Sequence, residues 1–152
     1  MEADKLSPKF IKQVDKYIIT EKMLGKGSFG SVFFGYYALD QNIQVAIKQI
    51  PMQDLTKSQM DILTREIKTM KAVVHKNIVR LYEAFKTKNS LYIMMEYCNG
   101  GNLENYIKKL GGTIPEKDAL IILKKIVLGF SQLYQHNIIH RDIKPENILL
   151  HD

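Results

Sequence analysis

The stretch that decides the fold reads His-Arg-Asp-Ile-Lys-Pro-Glu-Asn and occupies residues 140–147. Within it, a carboxylate, an ammonium group and a side-chain amide follow one another at short spacing as Asp142, Lys144 and Asn147. The amide oxygen of Asn147 suits Mg²⁺, and Lys144 can neutralise charge on a phosphoryl group. Aliphatic residues stand directly before and after the octet, so the pattern predicts a positioned polar loop between two short apolar strands.

A glycine-rich segment at residues 25–32 joins two stretches with strand-like composition. Gly25, Gly27 and Gly30 would let backbone amides approach and hydrogen-bond phosphate oxygens without a side-chain clash. A flexible hairpin turn would show the same glycines. Because the chain continues as a strand after this segment, the pattern favours a lid over a phosphate group rather than a dinucleotide fingerprint, which opens a helix.

A lysine and a glutamate further along form a second candidate pair. Lys48 lies between apolar residues in a strand-like segment, where an unpaired buried ammonium would be costly. It either snorkels to solvent at a sheet edge or binds phosphates together with a carboxylate. Glu66 can supply that carboxylate, because it lies at the edge of an apolar stripe on a predicted helix over 57–74. The stripe consists of Met60, Leu63, Ile67, Met70 and Val74.

The pattern of β-branched and aromatic residues predicts a strand-rich first part and a helical second part. Strands are expected over 17–24, 31–38, 44–50, 79–87 and 90–97. After the break at Asn99-Gly100-Gly101, a short helix is expected between a cap at Asn102 and a stop at Gly111-Gly112. A longer helix follows Pro115, and it is apolar around most of its circumference.

Taken in order, the glycine-rich segment, the Val-Ala-Ile-Lys segment and the octet resemble the first half of a eukaryotic protein kinase domain, over about residues 17–150. The lysine of the Asp-Ile-Lys-Pro-Glu-Asn run is typical of the serine/threonine branch, and residues 95–103 are similar to autophagy-initiating kinases. The resemblance implies an α+β fold with a complete N-terminal lobe, made of a five-stranded antiparallel sheet and one helix, and the first part of a helical C-terminal lobe. The implied divisions are a leader at 1–14, the N-terminal lobe at 15–97 and a partial C-terminal lobe at 98–152.

The resemblance also implies roles for individual residues. In it, Asp142 is the catalytic base, Asn147 binds Mg²⁺, and His140 and Arg141 support the loop. The implied catalytic residues are Asp142, Lys144, Asn147, Lys48 and Glu66. The implied ATP-binding residues are Leu24, Gly25, Lys26, Gly27, Ser28, Phe29, Gly30, Val32, Ala46, Lys48, Met95, Glu96, Cys98 and Leu149. The expected reaction transfers the γ-phosphate of ATP, with Mg²⁺, to serine and threonine hydroxyls of protein substrates.

The sequence does not contain every part of that family pattern. No Asp-Phe-Gly triplet follows Asn147, so a second carboxylate for the metal is missing from the 152 residues. We therefore expect a domain truncated after the catalytic loop, with at most trace activity on its own and a tendency to aggregate. The alternative is a fragment that binds nucleotide or acts as a scaffold without catalysis.

Composition limits the other function classes. Lys and Arg number 22 against 16 Asp and Glu, giving a formal charge of +6, but the charges are scattered and make nucleic-acid binding the weaker interpretation. The single cysteine, Cys98, excludes an intramolecular disulfide and a cysteine-rich zinc site. The start lacks a secretory signal, Glu2 replaces the glycine that myristoylation needs, and the most apolar stretch is too short to span a membrane. A cytoplasmic or otherwise intracellular protein is expected.

Overall fold

The computed structural model of the protein describes residues 8–27, 30–53 and 55–151. They divide into two compact units, one within Met1–Lys68 and Leu81–Tyr97 and the other within Thr69–Arg80 and Cys98–Asp152. The segment 69–80, which the sequence assigned to the N-terminal lobe, therefore groups with the second unit. The strands are β1 (Phe10–Val14), β2 (Tyr17–Gly27), β3 (Gly30–Tyr37), β4 (Asp40–Pro51), β5 (Leu81–Lys86) and β6 (Ser90–Glu96). The α-helices are α1 (Lys57–Ala72), α2 (Leu103–Lys109) and α3 (Glu116–Gln135), and a 3₁₀ turn spans Pro145–Asn147.

The sheet of the first unit is antiparallel throughout, in the order β1-β2-β3-β4-β6-β5. All five predicted strands are present, although the third begins four residues early at Asp40. The prediction of five strands missed β1, which lies in the segment that the sequence assigned to the leader. A two-residue turn at Asp15 and Lys16 joins β1 to β2, and Asp15 adopts a left-handed φ of 52° that aspartate tolerates.

One face of the sheet carries the main hydrophobic core. Its buried members are Val14, Tyr17, Ile19, Val45, Ile47, Tyr92 and Met94. Across this core, Lys12 of β1 donates a hydrogen bond of 2.6 Å to the hydroxyl of Tyr92 on β6. Because three strands separate β1 from β6 in the sheet order, this contact shows that the sheet curls around its core.

Helix α1 ends two residues before the predicted helix does. Four residues of the predicted stripe, Met60, Leu63, Ile67 and Met70, are half-buried. Val74 was expected to complete the stripe, but it lies beyond the helix with 62% of its surface exposed. Glu66 is exposed, although its place at the edge of the stripe predicted a carboxylate directed along the packed face.

Both helices of the second unit begin where local sequence signals predict, and α2 also ends where they predict. The side chain of Asn102 accepts a hydrogen bond of 2.9 Å from the backbone N–H of Asn105, so the predicted cap of α2 is confirmed. Gly111 and Gly112 have φ values of +81° and +93° and end this helix, because their amides bond back to carbonyls of its last turn. Helix α3 starts directly after Pro115, as predicted.

Candidate active site

The glycine-rich segment forms the hairpin between β2 and β3. Gly27 pairs with Gly30, and Gly25 pairs with Val32. A side chain at Gly30 would collide with the backbone carbonyl of Gln49, which explains why glycine is needed there. The predicted ATP-binding residues Ser28 and Phe29 lie outside the described residues.

Four of the predicted nucleotide-binding side chains lie on one face of the sheet. Val32 stands directly opposite Lys48, and Ala46 stands opposite Met95. In an antiparallel sheet, opposed residues share a face and alternate residues along a strand return to it. Val32, Ala46, Lys48 and Met95 therefore share the face opposite to Ile47 and the hydrophobic core.

The structure does not bring Lys48 and Glu66 together. Within the described residues, no ion pair joins them, although both belong to the first unit. Lys48 is half-buried on its strand, and Glu66 is exposed on α1. The expected pair is therefore not formed in this structure.

The octet does bring its three polar groups together in the second unit. Nδ2 of Asn147 donates hydrogen bonds to the carboxylate Oδ2 of Asp142 at 2.7 Å and to its backbone oxygen at 2.9 Å. Nζ of Lys144 lies 3.3 Å from the same Oδ2 atom. The result is an exposed carboxylate that is held by two donors and still presents its second oxygen, Oδ1.

These contacts also set the charge of Asp142. The hydrogen bond from Asn147, followed by that from Lys144, lowers the pKa of Asp142 below its ordinary value, and weak desolvation only partly opposes them. A carboxyl group with a lowered pKa stays ionised at neutral pH. Asp142 can therefore accept a hydrogen bond or a proton from a hydroxyl group placed beside it.

Residues with left-handed backbone conformation lie shortly before the octet and within it. Helix α3 ends in a Schellman motif, in which Asn137 takes a left-handed φ of 56° and Ile138 N–H bonds to Leu133 O at 2.9 Å. Arg141 also has a left-handed φ, of 65°, beside Asp142. Such backbone in a non-glycine residue costs about 1–3 kcal/mol and is common at active sites.

The two apolar strands predicted around the octet are not formed as strands. Within the described residues, 138–139 carry no strand, and after the octet only Leu149 forms an isolated bridge, with Asn102. The bridge is supported by Leu150 N–H bonded to Gly101 O at 2.8 Å. Because the partner of this bridge is the irregular segment before α2, the segment after the octet pairs locally without building a ladder.

Comparison with known proteins identifies the family. The family model described as the protein kinase domain matches residues 18–152. The chain belongs to the protein kinase family.

Several curated relatives of this kinase chain are serine/threonine-protein kinases. It is 41% identical to the human serine/threonine-protein kinase ULK1 over 138 residues, and this aligned region covers 90% of the chain and 13% of the relative. It is 36% identical over 127 residues to the serine/threonine-protein kinase ATG1a of Arabidopsis thaliana, covering 84% of the chain and 20% of the relative. These matches confirm the predicted branch and subfamily similarity. The chain thus spans between about an eighth and a fifth of the length of these relatives.

The remaining predicted residues of the kinase site are distributed over both units. Leu24 and Lys26 lie in β2, and Glu96 ends β6, all in the first unit. Cys98 and Leu149 belong to the second unit, as does the octet. Each unit thus holds part of the set that the resemblance implied.

One cation beside these residues was given no role by sequence reasoning. Nζ of Lys22 lies 5.0 Å from the ring centre of Phe34 and 5.9 Å from that of Tyr97. The two rings meet edge to face with centres 5.0 Å apart. The sequence signal for Lys22 is its position two residues before Leu24 on β2, which places both on the same face of the strand. Its contact with the two rings could not be predicted, because Phe34 and Tyr97 lie on other segments of the chain.

The octet contains a side chain that could serve as a magnesium ligand. Because Asn147 donates its Nδ2 to Asp142, its Oδ1 is the atom left for a cation, and Mg²⁺ prefers such oxygen ligands. Among the described residues, no group of three or more His, Cys, Asp or Glu could hold a metal by itself. Within the described octet, the group that could hold a cation is therefore the amide oxygen of Asn147, next to the carboxylate of Asp142.

In the part of the chain that the structure describes, no helix combines the length and the apolar character needed to cross a bilayer.

Proposed function

We propose that this chain supplies the ATP-binding hairpin and the catalytic loop of a kinase that phosphorylates serine and threonine hydroxyls of proteins. The observation that carries the proposal is the contact of Asn147 and Lys144 with one carboxylate oxygen of Asp142, at 2.7 Å and 3.3 Å. This arrangement fixes an ionised acceptor beside a cation and an amide oxygen. Family membership and the serine/threonine-protein kinase relatives support the same reaction.

The proposed step assigns each group of the octet a task. The substrate hydroxyl oxygen bonds to the γ-phosphorus of ATP while the bond from that phosphorus to the bridging oxygen of ADP breaks. Asp142 orients the hydroxyl and receives its proton, and Lys144 offsets charge on the transferred group. Mg²⁺, when bound, neutralises the phosphate oxygens, and Asn147 Oδ1 is the atom of this chain that would hold it.

The face of the sheet that carries Val32, Ala46 and Met95 is the proposed adenine-binding surface, and Lys48 on that face is the proposed phosphate contact. Glycines 25, 27 and 30 would cover the phosphates with backbone amides. For the 152 residues alone we propose at most trace turnover, because the sequence contains Asn147 but no Asp-Phe-Gly triplet to supply a second metal ligand.

A second candidate is a nucleotide-binding or scaffold protein without catalysis. The separation of Lys48 from Glu66 favours it, since phosphoryl transfer in protein kinases requires that ion pair. The two candidates differ in turnover, and a scaffold would also lack nucleotide binding.

The test uses the full-length kinase polypeptide, a radiolabelled ATP transfer assay on a serine/threonine peptide, and fluorescence titration with a labelled ATP analogue. Asp142→Asn should reduce turnover by at least about a hundredfold and change the nucleotide Kd by less than about threefold. Lys48→Met should also abolish transfer. Asp118→Asn and Lys109→Met, at exposed positions outside the octet and the sheet, serve as matched controls.

Normal turnover in Asp142→Asn would remove the role assigned to this carboxylate. Wild-type polypeptide that binds the ATP analogue but transfers no phosphate would support the non-catalytic alternative instead.

A further inference from the structure

A groove of about 560 Å³ lies in the second unit between helix α3 and the turn that follows α1. Helix α3 contributes positions 121, 124, 125 and 128, which form one face of a helix. The turn contributes positions 76 and 77. We call this feature the basic groove, and its lining residues are Lys76, Asn77, Ile121, Lys124, Lys125 and Leu128.

The two walls of the basic groove are held close together by a glycine. A side chain at Gly129 would lie 2.8 Å from the backbone oxygen of Asn77, so only glycine lets the turn approach the helix this closely. The turn has its own bonds, from Ile78 N–H to His75 O at 3.0 Å and from Asn77 N–H to His75 Nδ1 at 3.2 Å. The basic groove is therefore built by packing and turn geometry.

The charge of the basic groove is uncompensated. Lys76, Lys124 and Lys125 are exposed, and none of them forms an ion pair with any carboxylate in the described part of the chain. The acidic residues of α3 are confined to its first turn, at Glu116 and Asp118. A ligand that enters between the lysines thus meets three positive charges, so it must be acidic to complement them.

Two apolar side chains, Ile121 and Leu128, line the basic groove together with these lysines, and we call this pair the floor. Ile121 is 49% exposed and Leu128 is 42% exposed. They stand seven residues apart on the same helix face, which corresponds to about 10.5 Å along the axis. A peptide in an extended polyproline II conformation repeats the same face every three residues, about 9 Å apart, so two leucine-like side chains at that spacing can cover both positions.

We propose that the basic groove docks an acidic polypeptide segment that carries two leucine-like side chains three residues apart. The concave form and the apolar floor favour a peptide over a flat anionic bilayer or a nucleic-acid backbone, which would use the lysines and leave Ile121 and Leu128 uncovered. The inference goes beyond phosphoryl transfer, because no residue of the basic groove belongs to the octet or the glycine hairpin.

The experiment measures fluorescence polarisation of the labelled peptide Glu-Asp-Leu-Glu-Glu-Leu-Asp-Glu with the full-length kinase polypeptide. A second peptide replaces both leucines with serine. The variant Lys76→Glu/Lys124→Glu/Lys125→Glu tests the charges, and Ile121→Ser/Leu128→Ser tests the floor. The matched control, Lys109→Glu/Lys117→Glu, reverses two exposed lysines of the same unit outside the groove, and the melting temperature of each variant checks its fold.

The triple lysine variant should raise the Kd of the leucine peptide by about tenfold or more, because three charge pairs change sign, while the control stays within about twofold. The serine peptide and the floor variant should also bind at least about fivefold more weakly, since two apolar contacts are lost. Rising salt should weaken binding.

Equal affinity for the leucine and serine peptides would overturn the proposal, because it would show charge attraction alone. Unchanged binding in a folded triple variant, or no binding of the leucine peptide to the wild-type polypeptide, would do the same. An eight-nucleotide oligothymidylate or a phosphatidylserine vesicle that binds more tightly than the peptide, with loss in the triple variant, would assign the surface to another class of partner and reject the peptide.

Discussion

Replacing Gly35 by alanine should destabilise the first unit, because the sheet leaves no space for one more methyl group there. Gly35 is buried on β3 opposite Val45 and faces the core. A Cβ atom at this position would collide with the backbone oxygen of Ile18 and would lie 2.5 Å from Cδ1 of Ile47. Both neighbours are confined, since Ile18 is part of the β2–β3 ladder and Ile47 is fully buried.

The magnitude follows from two opposing effects. Overpacking of a well-packed core costs about 1–3 kcal/mol. Alanine also restricts the unfolded chain more than glycine does, which returns about 0.4–1 kcal/mol. The net loss should be about 1–2 kcal/mol, which corresponds to a fall in Tm of about 2–8 °C for a protein of this size.

Thermal melts followed by circular dichroism can test this with a control in the same hairpin. Gly25→Ala should leave Tm unchanged or raise it by up to about 4 °C, because nothing lies within 4 Å of a Cβ placed there and alanine restricts the unfolded chain. Ile47→Val removes the colliding Cδ1 atom, so Gly35→Ala/Ile47→Val should lose at least about 0.5 kcal/mol less than the two single variants added together. A Gly35→Ala protein as stable as Gly25→Ala, or strict additivity in the double variant, would refute the packing argument.

Three further substitutions test individual contacts. Asn147→Ala should raise the pKa of Asp142 toward its ordinary value in an NMR carboxyl titration, because the largest cause of the lowered pKa is removed. The pKa of Asp142 is lower in the folded protein than in the unfolded chain, so the contact with Asn147 stabilises the fold at pH values above the unfolded pKa. This contribution is lost as the pH falls through the folded pKa. A titration of Asp142 that is unchanged in the variant would show that Asn147 does not lower this pKa. Asn102→Ala should lower the free energy of unfolding by about 1 kcal/mol in urea titrations, through loss of the helix cap, and an unchanged midpoint would exclude a stabilising role for the cap. Lys12→Met should speed hydrogen exchange of the β1 amides, because the hydroxyl of buried Tyr92 loses its 2.6 Å donor, and unaltered exchange would show that this contact does not hold the strand.

Much of the fold could be predicted because its signals are local. The five predicted strands, both ends of α2 and the start of α3 follow from side-chain alternation, the Asn102 cap, the paired glycines and Pro115. Strand β1 escaped prediction because only five residues form it, and two of its apolar side chains, Phe10 and Ile11, remain exposed. The turn-forming aspartate at position 15 was the available signal.

The candidate site was less predictable wherever it depends on distant parts of the chain. Asp142, Lys144 and Asn147 lie within one short loop, so their spacing alone brought them close together. Lys48 lies on a strand and Glu66 on a helix, and the apolar stripe of the helix does not predict how the helix packs relative to that strand. Sequence patterns therefore predicted roles for these two residues but could not determine whether they make contact.

The first strand has a practical consequence for where a shortened polypeptide should start. The family match begins at residue 18, yet the backbone of β1 pairs with β2 from Val14 back to Phe10, and Glu21 N–H bonds to Lys9 O. A polypeptide trimmed to the match would expose the hydrogen-bonding edge of β2 and would lack the core residues Val14 and Tyr17. Exposed edges of this kind pair with one another between molecules, so the trimmed version should precipitate, whereas one that begins before Lys9 keeps β2 paired with the short strand β1.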